Sequence, residues 1–168
     1  MKTLFLTFFL SFSMLIGLAQ EKTKQQIKEE KKLTKQKEVE ALVDSKVFEF
    51  QATMAYPQGS RSIDMTTNSN FLRFEKDSIH SEMPYFGRAY SGAGYGGSGG
   101  LDFKGPIQNY SIEKDKKSYN IKAEVKDKTD LYSILLTVFF EGNASLTINT
   151  SNRSMISYRG SINKFVKK

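Results

Sequence analysis

The chain has 168 residues, a formal net charge of +7 and neither cysteine nor tryptophan. This length suits one domain with its own hydrophobic core, and a chain without cysteine has neither disulfides nor thiolate metal sites. The positive charge is modest, so it favours weak attraction to anionic surfaces over nucleic-acid binding, and we expect no nucleic-acid partner.

Residues 1–19 have the pattern of a secretory signal peptide. Lys2 supplies a positive charge, residues 4–18 form an apolar run, and Gly17 and Ala19 are small residues suited to cleavage after Ala19. An uncleaved membrane anchor is the alternative, but an apolar run of about 15 residues is short for a span of about 20. No second apolar run follows. We therefore expect an exported protein, periplasmic or extracellular, with no transmembrane segment after cleavage.

Residues 20–45 lack glycine, proline and aromatic residues and are rich in lysine, glutamate and glutamine, which favours a charged helix. Apolar residues cluster only at Val39, Leu42 and Val43, which have the spacing of one helical face. We predict a helix whose first half is solvated and whose last two turns pack on the rest of the chain. The alternative is a charged spacer that separates the domain from the membrane during export.

After Ser45 the apolar residues follow the two-residue period of β-strands. Strands are predicted at residues 47–52, 61–66, 70–75, 78–83, 101–103, 107–113, 118–126, 131–140, 144–149 and 156–162. A turn is predicted at Gly105–Pro106, between two of these segments. The pattern indicates a mainly β fold over residues 46–168, a single antiparallel meander, sandwich or open barrel preceded by the charged α-helix.

The strand at residues 131–140 differs from the others because both of its faces are apolar. We predict that it is central and covered on both sides, with the end of the helix as a candidate cover for the second face. Its first face is predicted to contribute Leu136 and Val138 to the core, together with Leu146 from the next strand. The second face carries Leu131, Leu135 and Phe139.

The region least typical of a regular element is the loop at residues 83–100. It contains seven of the twelve glycines, together with Tyr85, Arg88, Tyr90 and Tyr95. Glycine permits close approach of a backbone or a ligand, whereas tyrosine and arginine offer stacking surfaces and directed donors. This composition makes the loop the candidate ligand site of the chain. The alternative is an ordered loop in which Arg88 caps backbone carbonyls and the tyrosines close a barrel end.

Four segments of the sequence carry a family resemblance. They are residues 61–63, 83–90, 96–103 and 152–160, and the most specific of them contains the run PYFGRAY. Together they resemble the domain-of-unknown-function family DUF4251, found in exported proteins of Bacteroidetes-type bacteria. The resemblance covers residues 47–165. It implies an exported protein with this kind of fold, and it implies no activity.

No pattern of catalytic or metal-binding residues is evident. His80 is the only histidine, and no serine has the setting of an activated nucleophile. We therefore expect no enzymatic activity, no cofactor and no metal site. The candidate ligand-binding residues are Tyr85, Arg88, Tyr90, Tyr95, Asn152 and Arg153. The last two qualify because the turns at residues 66–70 and 151–153 would form a rim if they lay beside the glycine-rich loop.

These observations predict a monomeric, exported, non-catalytic binding or interaction module that uses the loop at residues 83–100. Its partner would be a small molecule, a glycan or an envelope protein. The alternative function is a lipocalin-like carrier that holds a small apolar ligand inside a β-barrel. The two differ in where the ligand lies, on rim tyrosines and Arg88 or among inward apolar side chains.

Overall fold

A computed structural model describes residues 23–90, 99–127 and 130–165. The predicted signal peptide and residues 20–22 lie outside these residues. The elements are α1 (Lys24–Ser45), β1 (Val47–Pro57), β2 (Ile63–Asp64), β3 (Phe71–Glu75), β4 (Ser78–Pro84), β5 (Gly100–Lys114), β6 (Ser118–Lys126), β7 (Leu131–Phe139), β8 (Asn143–Asn149) and β9 (Ile156–Lys164). The predicted mainly β fold with an N-terminal helix is confirmed. None of the described helical residues form a helix long and apolar enough to cross a membrane.

Eight of the strands form a closed antiparallel barrel, and β2 is an additional short strand. Strands β3 to β9 are neighbours in chain order. β1 pairs with β3 on one side and with β9 on the other, which closes the ring. β2 pairs with β1 alone. Among the predicted architectures, the antiparallel meander is therefore the one formed, and it is rolled into a barrel whose first and last strands are hydrogen-bonded.

Closure of the barrel depends on a close approach of β1 and β9 at Gly160. This residue pairs with Ala52, and the register shifts immediately afterwards, between Ala52 and Met54. A Cβ atom on Gly160 would collide with the carbonyl oxygen of Gln51 and would lie 2.8 Å from the Cα of Ala52. Glycine therefore allows the two backbones to meet where the ladder is irregular.

The inward positions of the barrel carry large apolar side chains, as the alternation of the sequence predicts. Phe48 and Phe74 stack with their ring centroids 4.6 Å apart, and Phe103 and Tyr132 stack at 4.0 Å. The predicted core residues Leu136, Val138 and Leu146 are fully buried. These side chains belong to one continuous apolar cluster that runs through the barrel.

Helix α1 begins with a reciprocal cap. The N–H of Gln26 donates to Thr23 Oγ1 at 3.3 Å, and the N–H of Thr23 donates to Gln26 Oε1 at 2.9 Å. This is the pairing of a threonine with a glutamine three residues later that satisfies free N–H groups at a helix start.

Among the described residues, the first compact unit ends at Leu33, and the second begins at Thr34 and contains the rest of α1 with all the strands.

The second half of α1 covers one end of the barrel. Val39 and Val43 are fully buried in the core cluster. Glu40 forms a 2.6 Å ion pair with Lys114, at the start of the β5–β6 turn. A Cβ on Gly142, in the β7–β8 turn, would lie 3.7 Å from Val39. The prediction that the last helical turns pack on the domain is confirmed.

The prediction that β7 is covered on both faces was wrong. Leu131, Leu135 and Phe139 remain 41%, 41% and 44% exposed on its outer face. The apolar stripe of α1 is narrow, and its buried residues Val39 and Val43 pack at the barrel end, so they do not cover the side of the barrel.

The predicted turn at Gly105–Pro106 was also wrong, because both residues lie inside the continuous strand β5. The strand changes partners here. Pro106 is the last residue of β5 paired with β4, and Ile107 is the first paired with β6. A Cβ on Gly105 would lie 2.9 Å from Val125 Cγ1, so the glycine permits the close approach of β6 at the point of exchange.

Tyr110 makes the fold sensitive to alkaline pH. Burial, aided by the charge of Asp44, raises the pKa of Tyr110 from 10.0 to about 12. In the unfolded chain this proton is lost near pH 10, so the contribution of Tyr110 to stability is complete below about pH 10 and is lost as the pH rises towards 12.

We expect Tyr110→Phe to make this alkaline loss of stability shallower. The Tyr110 hydroxyl is buried without a hydrogen-bond partner among the described residues, so the variant should be nearly as stable as wild type at pH 7. Urea unfolding at stepped pH values between 7 and 12 measures both quantities. An equally steep decline in the two proteins would contradict the prediction.

Candidate functional site

The loop that follows β4 and the segment that precedes β9 lie together at the barrel end opposite α1. Ala89 forms an isolated antiparallel bridge with Arg153. On either side of this bridge, the N–H of Tyr90 donates to the Asn152 carbonyl at 2.8 Å, and the N–H of Ser154 donates to the Arg88 carbonyl at 2.9 Å. The turn at residues 151–153 therefore lies beside residues 85–90, which we call the motif loop. This proximity is what the sequence analysis required for the two segments to form a binding rim.

The side chain of Tyr85 stabilises this pairing of the two backbone segments through hydrogen bonds. Its hydroxyl lies 2.8 Å from the Arg88 carbonyl, 2.9 Å from the Ser154 carbonyl and 2.9 Å from Ser154 Oγ. Ser154 Oγ also accepts the N–H of Arg88 at 3.0 Å. Because Ser154 can donate to the Tyr85 oxygen, Tyr85 is free to donate to the carbonyls, and every group in the network finds a partner.

The glycine of the motif is required by the same network. A Cβ on Gly87 would lie 2.6 Å from both Ser154 Oγ and Tyr85 Cζ. Any other residue at this position would displace the tyrosine hydroxyl or the serine. The network thus explains why Tyr85, Gly87 and Arg88 stand at these positions. Arg88 takes part through its backbone N–H and carbonyl, and not through its side chain.

Two further side chains hold the base of the loop, where Pro84 pairs with Gly100. The Tyr158 hydroxyl donates to the Pro84 carbonyl at 2.8 Å, and Arg153 Nη1 donates to the Gly100 carbonyl at 2.5 Å. The Arg153 guanidinium also lies 5.1 Å from the centroid of the Tyr85 ring. Burial, followed by the neighbouring Tyr85, raises the pKa of Tyr158 well above its usual value, so this donor stays protonated.

The carbonyl-capping role that the alternative interpretation gave to Arg88 is filled by Tyr85 and Arg153. The Arg88 side chain is exposed, and it makes no hydrogen bond or ion pair with the parts of the chain that the structure describes. Tyr90 is 70% exposed and Phe86 is 36% exposed. We call the side chains of Phe86, Arg88 and Tyr90 the loop-end surface. The sixth candidate residue, Tyr95, lies outside the described residues.

An open groove of about 740 Å³ adjoins the loop base. It is lined in part by Glu82, Asp102 and Asp127, and by Ser69 from the second turn that was expected at the rim. Glu82 and Asp102 are paired across β4 and β5, and Glu82 Oε1 lies 3.3 Å from His80 Nε2. Across residues 23–90, 99–127 and 130–165, no group of three side chains of the metal-ligating types could hold a metal ion.

Sequence reasoning missed Glu82, Asp102, Ser154 and Tyr158 as residues of this region. Each carboxylate alone is ordinary for a strand surface, and the strand register is what places the two side by side. Ser154 and Tyr158 lie in the segment at 152–160 that carried the family resemblance. That resemblance was the available signal, although it did not indicate that these side chains support the PYFGRAY loop.

The Tyr85 network can be tested by removing one oxygen atom. Tyr85→Phe is expected to lower the free energy of unfolding by about 0.5–1.5 kcal/mol, because the partly buried Ser154 carbonyl and hydroxyl and the Arg88 carbonyl lose a hydrogen bond. Tyr90→Phe is the matched control, since Tyr90 is mostly exposed, and it should change the stability little. Chemical unfolding of the two variants measures the difference. Equal stabilities would contradict the network.

Fold and site together define a small closed antiparallel barrel that is capped by a helix at one end and presents an exposed loop surface at the other. The family described as "Domain of unknown function (DUF4251)" matches residues 30–162, and the chain belongs to this family. The resemblance inferred from the four sequence segments is thereby confirmed.

A solved structure of this family has a similar fold. It is the crystal structure, at 1.95 Å resolution, of a DUF4251 family protein from Bacteroides eggerthii DSM 20697. The two proteins are 19% identical with a TM-score of 0.61, over 78% of this chain and 88% of that chain. At this identity the likeness concerns the fold alone. No curated protein matches the sequence.

Proposed function

We propose that this protein is an exported, non-catalytic binding module whose loop-end surface binds a glycan. One observation carries the proposal. The backbone of the motif loop is held by hydrogen bonds from Tyr85, Ser154 and the 151–153 turn, while Arg88 and Tyr90 extend into solvent. Export is inferred from the signal-peptide pattern of residues 1–19.

A backbone held in this way favours binding for an entropic reason. Ordering a mobile loop on binding costs free energy, and a surface that is already ordered avoids most of that cost. Aromatic and arginine side chains are also the residue types that contribute most at binding surfaces. Their exposure on a fixed backbone is therefore more readily explained by a ligand than by the stability of the fold.

The chemistry of the surface favours a polyhydroxylated ligand. The Tyr90 ring offers a face on which the C–H side of a sugar can stack, and the Arg88 guanidinium offers directed donors. The adjoining groove adds carboxylate acceptors from Glu82 and Asp102. A sugar ring presents hydroxyl donors, hydroxyl acceptors and an apolar face together, so it can use all three kinds of contact.

We rank the lipocalin-like carrier below this proposal because of the side chains inside the barrel. The inward rings of Phe48 and Phe74, and of Phe103 and Tyr132, stack on one another and belong to the buried core. An interior ligand would have to separate such contacts, whereas a ligand at the loop end would bind side chains that are already exposed.

A glycan array of bacterial envelope and host polysaccharides tests the proposal. Wild type is expected to bind a defined subset of glycans, and Arg88→Ala and Tyr90→Ala should each reduce that binding about tenfold or more. Both variants should keep the wild-type melting temperature, because the replaced side chains are exposed.

Two controls match these variants away from the loop end. Lys116→Ala removes an exposed cation in the β5–β6 turn, and Phe139→Ala removes an exposed ring on the side of the barrel. Neither should alter glycan binding. The proposal is overturned if wild type binds no glycan, or if binding survives in Arg88→Ala and Tyr90→Ala.

A further inference from the structure

A second groove lies at the opposite end of the barrel from the loop-end surface. The second half of α1 forms one wall, and the start of β1 and the end of β9 form the other, enclosing about 610 Å³. This volume is within the range of roughly 300–1,000 Å³ typical of small-molecule sites. All of the described residues that line it belong to the compact unit that begins at Thr34.

The floor and walls of this groove are mainly apolar. Leu42 from the helix, Val47 from β1 and Ile162 from β9 line it, and the ring of Phe165 closes one side. Ala41 also faces the groove, and its small side chain leaves the space between helix and strand open. An apolar surface of this kind gains free energy when an aliphatic chain replaces water on it.

The wall at Phe165 is held in place by neighbouring contacts. Its ring lies 3.9 Å from the guanidinium of Arg73, which also stands 4.2 Å from the ring of Phe71. The same guanidinium donates twice to the carboxylate of Glu49, at 2.9 and 2.7 Å. Arg73 is thus fixed by two hydrogen bonds to one carboxylate oxygen of Glu49 and by contacts with two rings, and it supports Phe165 at the edge of the groove.

The described charged side chains that line the groove carry a net positive charge, because two of them are lysines and one is a glutamate. Lys35 pairs with Glu38 at 3.4 Å along the helix, so these two nearly balance. Lys164 also lines the groove, and its ammonium makes no ion pair within the described residues. Among the described residues that line it, the groove therefore combines an apolar floor with one cation that has no ion pair. This cation lies near Val47, because Lys164 pairs in the sheet with Phe48, the residue after Val47.

From this combination we infer that the groove binds a single-chain fatty acid. The aliphatic chain would lie along Leu42 and Ile162, and the carboxylate would meet Lys164. An apolar chain with one terminal anion matches both features, whereas a neutral or cationic amphiphile matches the floor alone. The site is separate from the loop-end surface and does not depend on the function proposed for it.

Isothermal titration calorimetry of the purified protein tests the inference with three probes that share one chain length. They are laurate, dodecanol and dodecyltrimethylammonium, all below their aggregation concentrations. Laurate is expected to bind saturably with a stoichiometry of one, and at least about threefold more tightly than either of the others, as one solvent-exposed ion pair implies.

Two variants locate the binding. Ala41→Trp should abolish laurate binding by filling the groove, and because Ala41 is exposed on the helix the fold should be retained, as a thermal melt verifies. Lys164→Glu should weaken laurate binding about three- to tenfold and leave dodecanol binding unchanged. Lys126→Glu, an exposed strand lysine on β6, is the matched control and should have no effect.

Three outcomes overturn the inference. The first is the absence of saturable laurate binding. The second is laurate binding that survives in folded Ala41→Trp, since the chain would then lie elsewhere, for example inside the barrel. The third is dodecyltrimethylammonium binding as tightly as laurate, because the cation at Lys164 would then play no part.

Discussion

Gly160→Ala is expected to lower the free energy of unfolding by about 3 kcal/mol or more, because the added methyl group meets backbone that cannot rotate away. Its Cβ would collide with the Gln51 carbonyl oxygen and approach the Cα of Ala52. Relief would require β1 and β9 to separate at the pairing that closes the barrel. Urea unfolding followed by far-ultraviolet circular dichroism measures the change.

Gly99→Ala is the control for this variant. A Cβ on Gly99 would meet no atom of the described residues within 4 Å, so the same chemical change should leave the stability nearly unaltered. If Gly160→Ala lost less than about 1 kcal/mol, the contact between β1 and β9 would be looser than the structure describes.

Leu136→Ala is expected to cost about 2–5 kcal/mol, from the lost transfer free energy of the side chain and the cavity left behind. Leu136 is fully buried in the middle of β7, where it pairs with Ile121 on one side and Leu146 on the other. The surrounding side chains come from strands that are fixed by hydrogen bonds, so the barrel can collapse only partly around the cavity.

The next residue of the same strand provides the control. Leu135 points to the outer face and is 41% exposed, so Leu135→Ala should cost under about 1 kcal/mol. The ratio of the two effects, measured by chemical unfolding, also tests whether the outer face of β7 is uncovered. Similar losses for both variants would mean that the outer face is packed after all.

The candidate site shows a division of roles among residues that looked alike in the sequence. Tyr85 and Tyr90 are tyrosines of one motif. The hydroxyl of Tyr85 is hydrogen-bonded to the Ser154 backbone, whereas Tyr90 is mostly exposed. Arg88 and Arg153 were both candidate ligand contacts, and Arg153 caps the Gly100 carbonyl. Such roles depend on contacts between residues more than fifty positions apart in the sequence. A local sequence pattern does not show which of these residues come together in the fold.

Local patterns were sufficient for much of the fold. The two-residue period of apolar side chains identified the strands and their inward faces, since side chains alternate across any strand whatever its partners. Composition and the spacing of Val39 and Val43 identified the helix and the turns that pack. The mainly β class and the core at Leu136 and Val138 follow from such short-range rules.

Three features of the fold depend on pairing between distant segments, and only the tertiary structure revealed them. The pairing of β1 with β9 closes the barrel, and the exchange of partners at Gly105–Pro106 keeps β5 continuous where local chemistry indicated a turn. The outer face of β7 is apolar but uncovered because Val39 and Val43 are buried at the barrel end. Periodicity tells which residues share a face, whereas the partner of that face is set by competition among all surfaces of the chain for burial.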